Sequence, residues 1–180
     1  GYKVYLGGVV DQIRYEGSQI ISPADTQISE YISQVPDLNT LKRSSGAEVL
    51  DNAIVDSYVQ ATAKLATSNS DLKVVYSAMH GVGKETLEQV FTAANFAPPI
   101  LVSEQAEPDP DFPTTPFPNP EEAGAIDLCL EYARKLDADL VIANDPDADR
   151  CAVAAKDLGG NWRMLRGDEL GTLLAHYISK

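Results

Sequence analysis

Along most of the chain, short apolar segments alternate with longer segments in which apolar residues recur with helical spacing. Helical spacing is found at residues 80–96, which open with a glycine-containing loop, and again at residues 125–136. Apolar segments of strand length lie at residues 73–79, 98–104 and 137–143. Because helices separate these strands, the pattern predicts an α/β fold whose sheet is largely parallel and binds ligands at the carboxyl ends of its strands.

The last third of the chain changes this pattern. Residues 151–157 and 162–167 predict two strands joined by the turn LGGN, and DELGTLLAHYIS then predicts a terminal helix. A hairpin brings antiparallel strands, so the predicted sheet is mixed, largely parallel and flanked by helices.

The first third of the chain predicts a smaller unit. Residues 18–22 indicate a strand that leaves a hairpin, and Ser22 and Pro23 are expected at the N-cap and first position of a helix. Residues 36–46 are polar and rich in turn-forming residues, as in a linker. Residues 47–66 have helical spacing, which predicts that a new domain begins after the linker.

Both ends of the sequence suggest a fragment of a longer protein. GYKVYLGG begins inside a strand pattern, without an initiator methionine or a signal-peptide pattern, and the last helical pattern ends at HYISK without a cap.

Composition narrows the classes of function. Lys and Arg total 14 against 27 Asp and Glu, and the net charge of −13 argues against nucleic acid as a partner. No apolar run approaches the roughly 18 residues that span a bilayer, which argues against a membrane protein. Cys129 and Cys151 have neither metal-ligand spacing nor the pattern of a disulfide framework, as expected in the reducing cytoplasm.

The segment NDPDADR concentrates negative charge where a ligand is expected, because it directly follows the third apolar strand. Asp145, Asp147 and Asp149 occupy alternate positions, so their side chains can converge on one point, and Arg150 follows them. Three close carboxylates repel one another unless a cation joins them, and hard oxygen ligands suit Mg²⁺ or Ca²⁺. The alternative is a solvated acidic turn without a metal.

Two better-known motifs do not fit. An EF-hand that began at Asp145 would need glycine and glutamate where Arg150 and Lys156 stand. HGVGKET is not a phosphate-binding P-loop, because Ala78 replaces its first glycine and Glu85 replaces its Ser or Thr. A glycine turn between a strand and a helix remains the simpler interpretation.

Five segments together resemble one family. They are GYKVY at 1–5, AMHGVG at 78–83, EPDPDFPTTPFPNPEE at 107–122, NDPDADR at 144–150 and RGDELG at 166–171. In these segments and in their order, the chain resembles the α-D-phosphohexomutases, the superfamily of phosphoglucomutases and phosphomannomutases. The resemblance implies a division into residues 1–44, the end of a first domain with its linker; 45–160, a second domain with a metal loop; and 161–180, the start of a third.

The resemblance implies an enzyme, an isomerase that transfers a phosphoryl group within its substrate. A phosphoserine gives its phosphoryl group to a sugar 1-phosphate or 6-phosphate, and the bisphosphate intermediate returns the other one. That serine would lie before Gly1, outside this chain, so the fragment alone is expected to be inactive.

The resemblance also assigns site residues. Asp145, Asp147 and Asp149 would hold Mg²⁺, and Arg150 would face the phosphate, although it could merely neutralise the aspartates. Lys3 would assist proton transfer as a catalytic residue; without the resemblance it is an exposed strand residue.

His80 and Gly81 would lie near the substrate cleft, although a structural, hydrogen-bonded histidine fits the pattern nearly as well. The proline-rich segment at 107–122 is expected to give the surface its shape rather than to take part in chemistry.

The substrate stays open. Glucose or mannose phosphate, with a sugar bisphosphate intermediate, is the first expectation, and a pentose phosphate, as in a phosphopentomutase, is the alternative. A module that binds Mg²⁺ or a phosphosugar without catalysis is a further alternative. The sequence does not determine the oligomeric state, the direction of the reaction or its regulation.

Overall fold

A computed structural model of the chain describes residues 4–10, 12–14, 16–68 and 70–179. By its internal contacts, the chain divides into two compact units, Gly1–Val49 and Leu50–Lys180. The domain boundaries expected at residues 44 and 160 stay predictions.

Within its described residues, the first unit contains two short antiparallel strand pairs, one α-helix and a short 3₁₀ helix at Leu38–Thr40. Its elements are β1 (Tyr5–Leu6), β2 (Val9–Val10), β3 (Ile13–Arg14), β4 (Ser18–Gln19) and α1 (Ala24–Ser33). β1 pairs with β4, and β2 pairs with β3. The strand predicted at residues 18–22 is therefore present, but only its first two residues form the ladder.

The predicted N-cap of α1 is wrong. Pro23 occupies the cap position instead of the first helical position, and no side chain caps the helix there. The reason lies one residue before Ser22: the Ile21 carbonyl accepts the N–H groups of Ala24 and Asp25, at 2.9 and 3.3 Å. Those donors thus have a partner without a serine cap.

Helix α2 begins later than the sequence pattern predicts. It spans Ala53–Ala63, whereas helical spacing starts at residue 47. The Asp51 carboxylate accepts the Ala53 N–H at 3.0 Å and so fixes the start of the helix. Residues 41–50, which precede it, are exposed and have no regular secondary structure.

The second unit alternates helices and strands before it ends in a hairpin and a helix. After α2 follow β5 (Val74–Ser77), α3 (Gly83–Ala93), β6 (Ile100–Leu101), α4 (Asp127–Lys135), β7 (Leu140–Asn144), β8 (Cys151–Lys156), β9 (Trp162–Met164) and α5 (Gly167–Ile178). The five strands form one sheet in the order β6-β5-β7-β8-β9.

The direction of the strands confirms the predicted fold class. β6, β5 and β7 run parallel to one another, and β7, β8 and β9 are successively antiparallel. The parallel part follows from the helical crossovers and the antiparallel part from the hairpin, so the sheet is mixed.

The core lies where α4 packs on β5 and β7. Val75 and Val141 are fully buried and directly opposite in the ladder, and Cys129 and Ala133 of α4 are buried in the same cluster. Burying an aliphatic side chain of this size contributes about 1.5–3 kcal/mol relative to exposure. This packing fixes β5 and β7 side by side, so the segments that follow them emerge together.

None of the helices in the described ranges is long and apolar enough to cross a membrane.

Candidate metal site at the carboxyl end of β7

Residues 144–150, here called the acidic loop, connect the end of β7 to the start of β8. Asp145, Asp147 and Asp149 each offer a carboxylate oxygen, and these oxygens lie within 4.8 Å of one another. In an octahedral Mg²⁺ site with bonds of about 2.1 Å, adjacent ligand oxygens lie about 3 Å apart and opposite ones about 4.2 Å. The predicted convergence of the three side chains is thus present, and a small contraction would suit the cation.

The three carboxylates differ in their exposure. Asp145 is only 1% exposed, while Asp147 and Asp149 are exposed. A buried carboxylate needs partners, and Arg150 supplies them. Its backbone N–H donates to Asp145 Oδ1 at 2.9 Å, and its Nε and Nη2 donate to Oδ2, each at 2.9 Å. Arg150 therefore neutralises Asp145, while its own side chain remains 53% exposed.

The first and last residues of the acidic loop are joined by a side chain. Asn144 Nδ2 donates to the Arg150 carbonyl at 2.8 Å, and Asn144 Oδ1 accepts the Tyr76 hydroxyl at 2.9 Å. Burial raises the pKa of the Tyr76 phenol, which keeps the hydroxyl a donor. Inside the loop, Ala148 has a φ of 56° and donates its N–H to the Asp145 carbonyl at 2.9 Å. The loop is thus a closed turn, tied to β5 through Tyr76.

The turn after β5 packs directly against the acidic loop. Val82 N–H donates to the Pro146 carbonyl at 3.0 Å. A Cβ on Gly81 would lie 2.3 Å from both the Cα and the carbonyl oxygen of Pro146, so only glycine permits this approach. The structure therefore brings Gly81 beside the acidic loop, with its backbone against Pro146.

His80, predicted near the cleft, is buried under the proline-rich segment. Its Nε2 lies 2.8 Å from Thr114 Oγ1, its backbone N–H donates to the Gln105 carbonyl at 3.0 Å, and its ring meets Phe112 edge-on. These contacts are those of a structural histidine, the alternative that the sequence left open. None of them reaches the three aspartates.

The proline-rich segment, residues 107–122, is held by a buried polar cluster below it. Gln105 Nε2 donates to the hydroxyls of Thr114 and Thr115 at 2.9 and 3.0 Å, and its Oε1 accepts the Ser77 hydroxyl at 2.7 Å. Gln105 is fully buried, and these bonds give a partner to its amide oxygen and to both of its N–H donors. The segment is thereby anchored to the end of β5.

Sequence reasoning missed Asn119, which reaches Arg150 from this segment. Arg150 Nη1 donates to Asn119 Oδ1 at 3.2 Å across 31 positions of sequence. The sequence feature that could have pointed to Asn119 is its position between Pro118 and Pro120, whose rings restrict the backbone on both sides of this polar residue. This feature does not reveal that Arg150 is the partner of Asn119.

Lys3 lies outside the described residues, so its catalytic role stays a prediction.

An open groove of about 550 Å³ runs between α2 and α3 and reaches the acidic loop. Ile54, Tyr58 and Val82 are among its apolar lining residues, and Asp147 and Ala148 border it. Asp147 therefore faces a space of the size that small molecules occupy.

Comparison with known proteins identifies the family to which the chain belongs. Residues 56–160 match the family model described as phosphoglucomutase/phosphomannomutase, alpha/beta/alpha domain II. The chain belongs to the phosphoglucomutase/phosphomannomutase family. The matched range contains the sheet up to β8, the turn after β5, the proline-rich segment and the acidic loop, and it confirms the resemblance found in the sequence.

The relatives of this chain are named after different sugar phosphates. The chain is 45% identical over 183 residues to a Haemophilus influenzae protein named probable phosphomannomutase, 38% over 191 residues to a Mus musculus phosphopentomutase, and 34% over 172 residues to a Staphylococcus haemolyticus phosphoglucomutase. These alignments cover 100, 99 and 91% of this chain but 37, 30 and 31% of the relatives. The chain thus spans about a third of the length of these proteins.

A solved structure agrees in fold. A phosphoglucomutase/phosphomannomutase family protein from Burkholderia thailandensis superposes with a TM-score of 0.68 at 22% identity, covering 92% of this chain and 33% of that one.

Proposed function

We propose that the full-length protein is a phosphosugar mutase that moves a phosphoryl group between two positions of a sugar phosphate through a phosphoserine and a sugar bisphosphate. The observation that carries this proposal is the acidic loop, where three carboxylates converge beside an arginine in the second domain of this family. Catalysis of phosphoryl transfer depends mainly on positioning the reacting groups and on stabilising the charge of the phosphate oxygens. The carboxylates and the arginine of the acidic loop are groups that can do both.

Mg²⁺ is the cofactor that fits the donor set. Asp145, Asp147 and Asp149 present hard oxygens with the spacing described above and would hold the ion. Bound there, Mg²⁺ would stabilise negative charge on the oxygens of the transferred phosphoryl group.

Arg150 would serve as the fixed cation beside the phosphate. A guanidinium has five N–H donors, and the contacts with Asp145 and Asn119 use three of them. Nε also lies 3.7 Å from Asp149 Oδ1. The remaining donors would meet phosphate oxygens. Lys3 would assist proton transfer at the sugar hydroxyl.

The substrate could be one of two classes of sugar phosphate, a hexose phosphate or a pentose phosphate. Identity is higher to the protein named probable phosphomannomutase, which favours a hexose phosphate, interconverted between 1- and 6-phosphate. The mouse relative named phosphopentomutase supports a pentose phosphate as the second candidate. We propose a cytoplasmic location, which the two free cysteines support.

The test is a coupled mutase assay on the full-length protein with Mg²⁺ and a trace of sugar bisphosphate. Glucose 1-phosphate, mannose 1-phosphate and ribose 1-phosphate are compared as substrates. We expect turnover on at least one of them, and a loss of about 100-fold or more in kcat for Asp147→Asn, since the variant removes one charged ligand. Asp71→Asn is the matched control, because it removes the same charge just before the amino end of β5 and should keep full activity.

The ranking of the three substrates decides between hexose and pentose. Absence of turnover on all of them, together with Mg²⁺ binding that depends on Asp147, would favour a non-catalytic binding module instead. Equal activity of Asp147→Asn and the unmodified protein would contradict the metal site.

A further inference from the structure

Asn119, in the proline-rich segment, forms a hydrogen bond with the acidic loop. Its Oδ1 accepts Arg150 Nη1 at 3.2 Å and the Glu121 N–H at 3.3 Å. Its Nδ2 donates to Glu122 Oε1 at 3.4 Å. The amide oxygen therefore points at the guanidinium, which can only donate hydrogen bonds.

The position of this amide is fixed by its own backbone. Asn119 N–H donates to the Phe117 carbonyl at 2.8 Å, and the Asn119 carbonyl accepts the Glu122 N–H at 3.0 Å. Pro120, directly after it, is among the fully buried side chains. Since the segment is also anchored through Gln105, Asn119 is presented to Arg150 from a rigid support.

Acceptors of different charge hold the guanidinium at different edges. Asp145 takes Nε and Nη2, and Asn119 takes Nη1. A planar group held at two edges cannot rotate about the bond to either acceptor, so the direction of its remaining donors is set. The carboxylates of Asp145 and Asp149 already pair with Arg150, with Asp149 Oδ1 at 3.7 Å from Nε. Asn119 adds an acceptor without a further negative charge, so Arg150 retains more of its attraction for an anion than another carboxylate would allow.

We infer that Asn119 is a positioning residue that orients Arg150 toward the phosphate group of the substrate. The inference rests on the proposed function for the identity of the anion. It extends the role of the proline-rich segment, which was expected to provide shape alone: one amide in that segment aims the cationic side chain of the acidic loop.

The test compares three single variants of the full-length protein. Asn119→Ala should lower kcat/KM by about tenfold, because the hydrogen bond from a charged group is lost, while the affinity for Mg²⁺ alone, measured by titration calorimetry, changes less than about twofold. Glu122→Ala removes only the Asn119 to Glu122 contact and should lower kcat/KM less than Asn119→Ala does, because Asn119 Oδ1 keeps its contact with Arg150. Arg150→Ala should lose most activity, and adding Asn119→Ala to it should cause no further loss.

A charge variant tests the importance of a neutral acceptor. In a Glu122→Gln background, which removes the neighbouring charge, Asn119→Asp keeps an oxygen toward Arg150 but adds a negative charge. We expect the affinity for inorganic phosphate, measured in the presence of Mg²⁺, to fall about tenfold or more relative to the Glu122→Gln protein. Unchanged phosphate affinity would show that the neutrality of Asn119 has no role.

Failure of this inference and failure of the proposed function give different results. If the protein turns over a sugar phosphate and Asn119→Ala matches it in kcat/KM, the inference is wrong and the mutase proposal stands. If no sugar phosphate is turned over, the mutase proposal fails, and binding of inorganic phosphate to the Asn119→Ala protein still decides the inference. Comparable melting temperatures of the variants exclude misfolding as the cause of a loss.

Discussion

At Gly81, the absence of a side chain determines how closely the turn after β5 approaches the acidic loop. The backbone of Pro146 occupies the space that a Cβ would need. Unlike the end of a flexible side chain, backbone atoms cannot move aside without displacing Asp145 and Asp147 on either side of Pro146.

We therefore predict that Gly81→Ala weakens both the fold and the metal site. The free energy of unfolding should fall by about 1–3 kcal/mol, as for other small-to-large changes in packed regions, and Mg²⁺ affinity should fall with it. Urea unfolding and calorimetric titration with Mg²⁺ measure the two effects. Gly171→Ala is the control: apart from the neighbouring backbone of α5 itself, no atom lies within 4 Å of the added Cβ, so this change should be neutral or stabilise by up to about 1 kcal/mol. Equal effects at both glycines would contradict the packing argument.

The residues of the site differ in how far sequence could predict them. Asp145, Asp147 and Asp149 were predictable because alternate spacing and a strand end are local features of the sequence. Asn119 was not, because its contact with Arg150 depends on the path of a long segment over the sheet. The role of Gly81 required knowledge of which backbone lies opposite it.

At the scale of elements, the start of α5 depends on one carboxylate. Glu169 Oε2 accepts the Arg166 N–H at 2.9 Å and Arg163 Nη1 at 2.7 Å, so it caps the helix and pairs with the hairpin before it. The hydrogen bond from Arg163, and then that from the Arg166 backbone, lower the pKa of Glu169 below its ordinary value of 4.5.

This lowered pKa predicts a pH-dependent contribution to stability. Because the folded state binds the proton less tightly than the unfolded state, the contribution is fully present above the ordinary pKa and disappears as the pH falls through the lowered one. Glu169→Gln should therefore unfold at a lower temperature than the unmodified protein at pH 7, and the difference should shrink toward pH 3. Thermal unfolding across this range is the measurement, with Glu131→Gln as a control at a carboxylate that forms no ion pair among the described residues. A difference that is independent of pH would exclude the charged capping role.

The elements also show where sequence patterns mislead. In the second unit, the order of strands and helices was predictable, because apolar periodicity reflects the burial that holds the sheet together. The starts of α1 and α2 were not, because the Ile21 carbonyl and the Asp51 carboxylate compete with the expected signals for the same N–H groups.

At the scale of the whole chain, the two units are joined through an exposed segment. Lys42 and Arg43 lie in it, between the short 3₁₀ helix at Leu38–Thr40 and helix α2. Exposed segments without regular structure are preferred sites of proteolysis, because a protease must bind an extended backbone.

We predict that trypsin first cleaves the full-length protein, within this part of the chain, after Lys42 or Arg43. Mass spectrometry of early fragments should detect new termini there before cleavage at Lys64 or Lys84, which lie at the end of α2 and in α3. Simultaneous cleavage at all four sites would argue that the second unit is no more resistant than the segment before it.

The connection between β7 and β8 also determines which parts of the protein can move during a reaction. The acidic loop joins two strands that pair with each other from Leu140 and Ala155 up to Asn144 and Cys151. A displacement of the whole loop would have to break this ladder, at the centre of the sheet, and the Asn144 to Arg150 hydrogen bond that closes the loop. We therefore expect any opening and closing around a phosphosugar in the full-length protein to involve segments other than this loop.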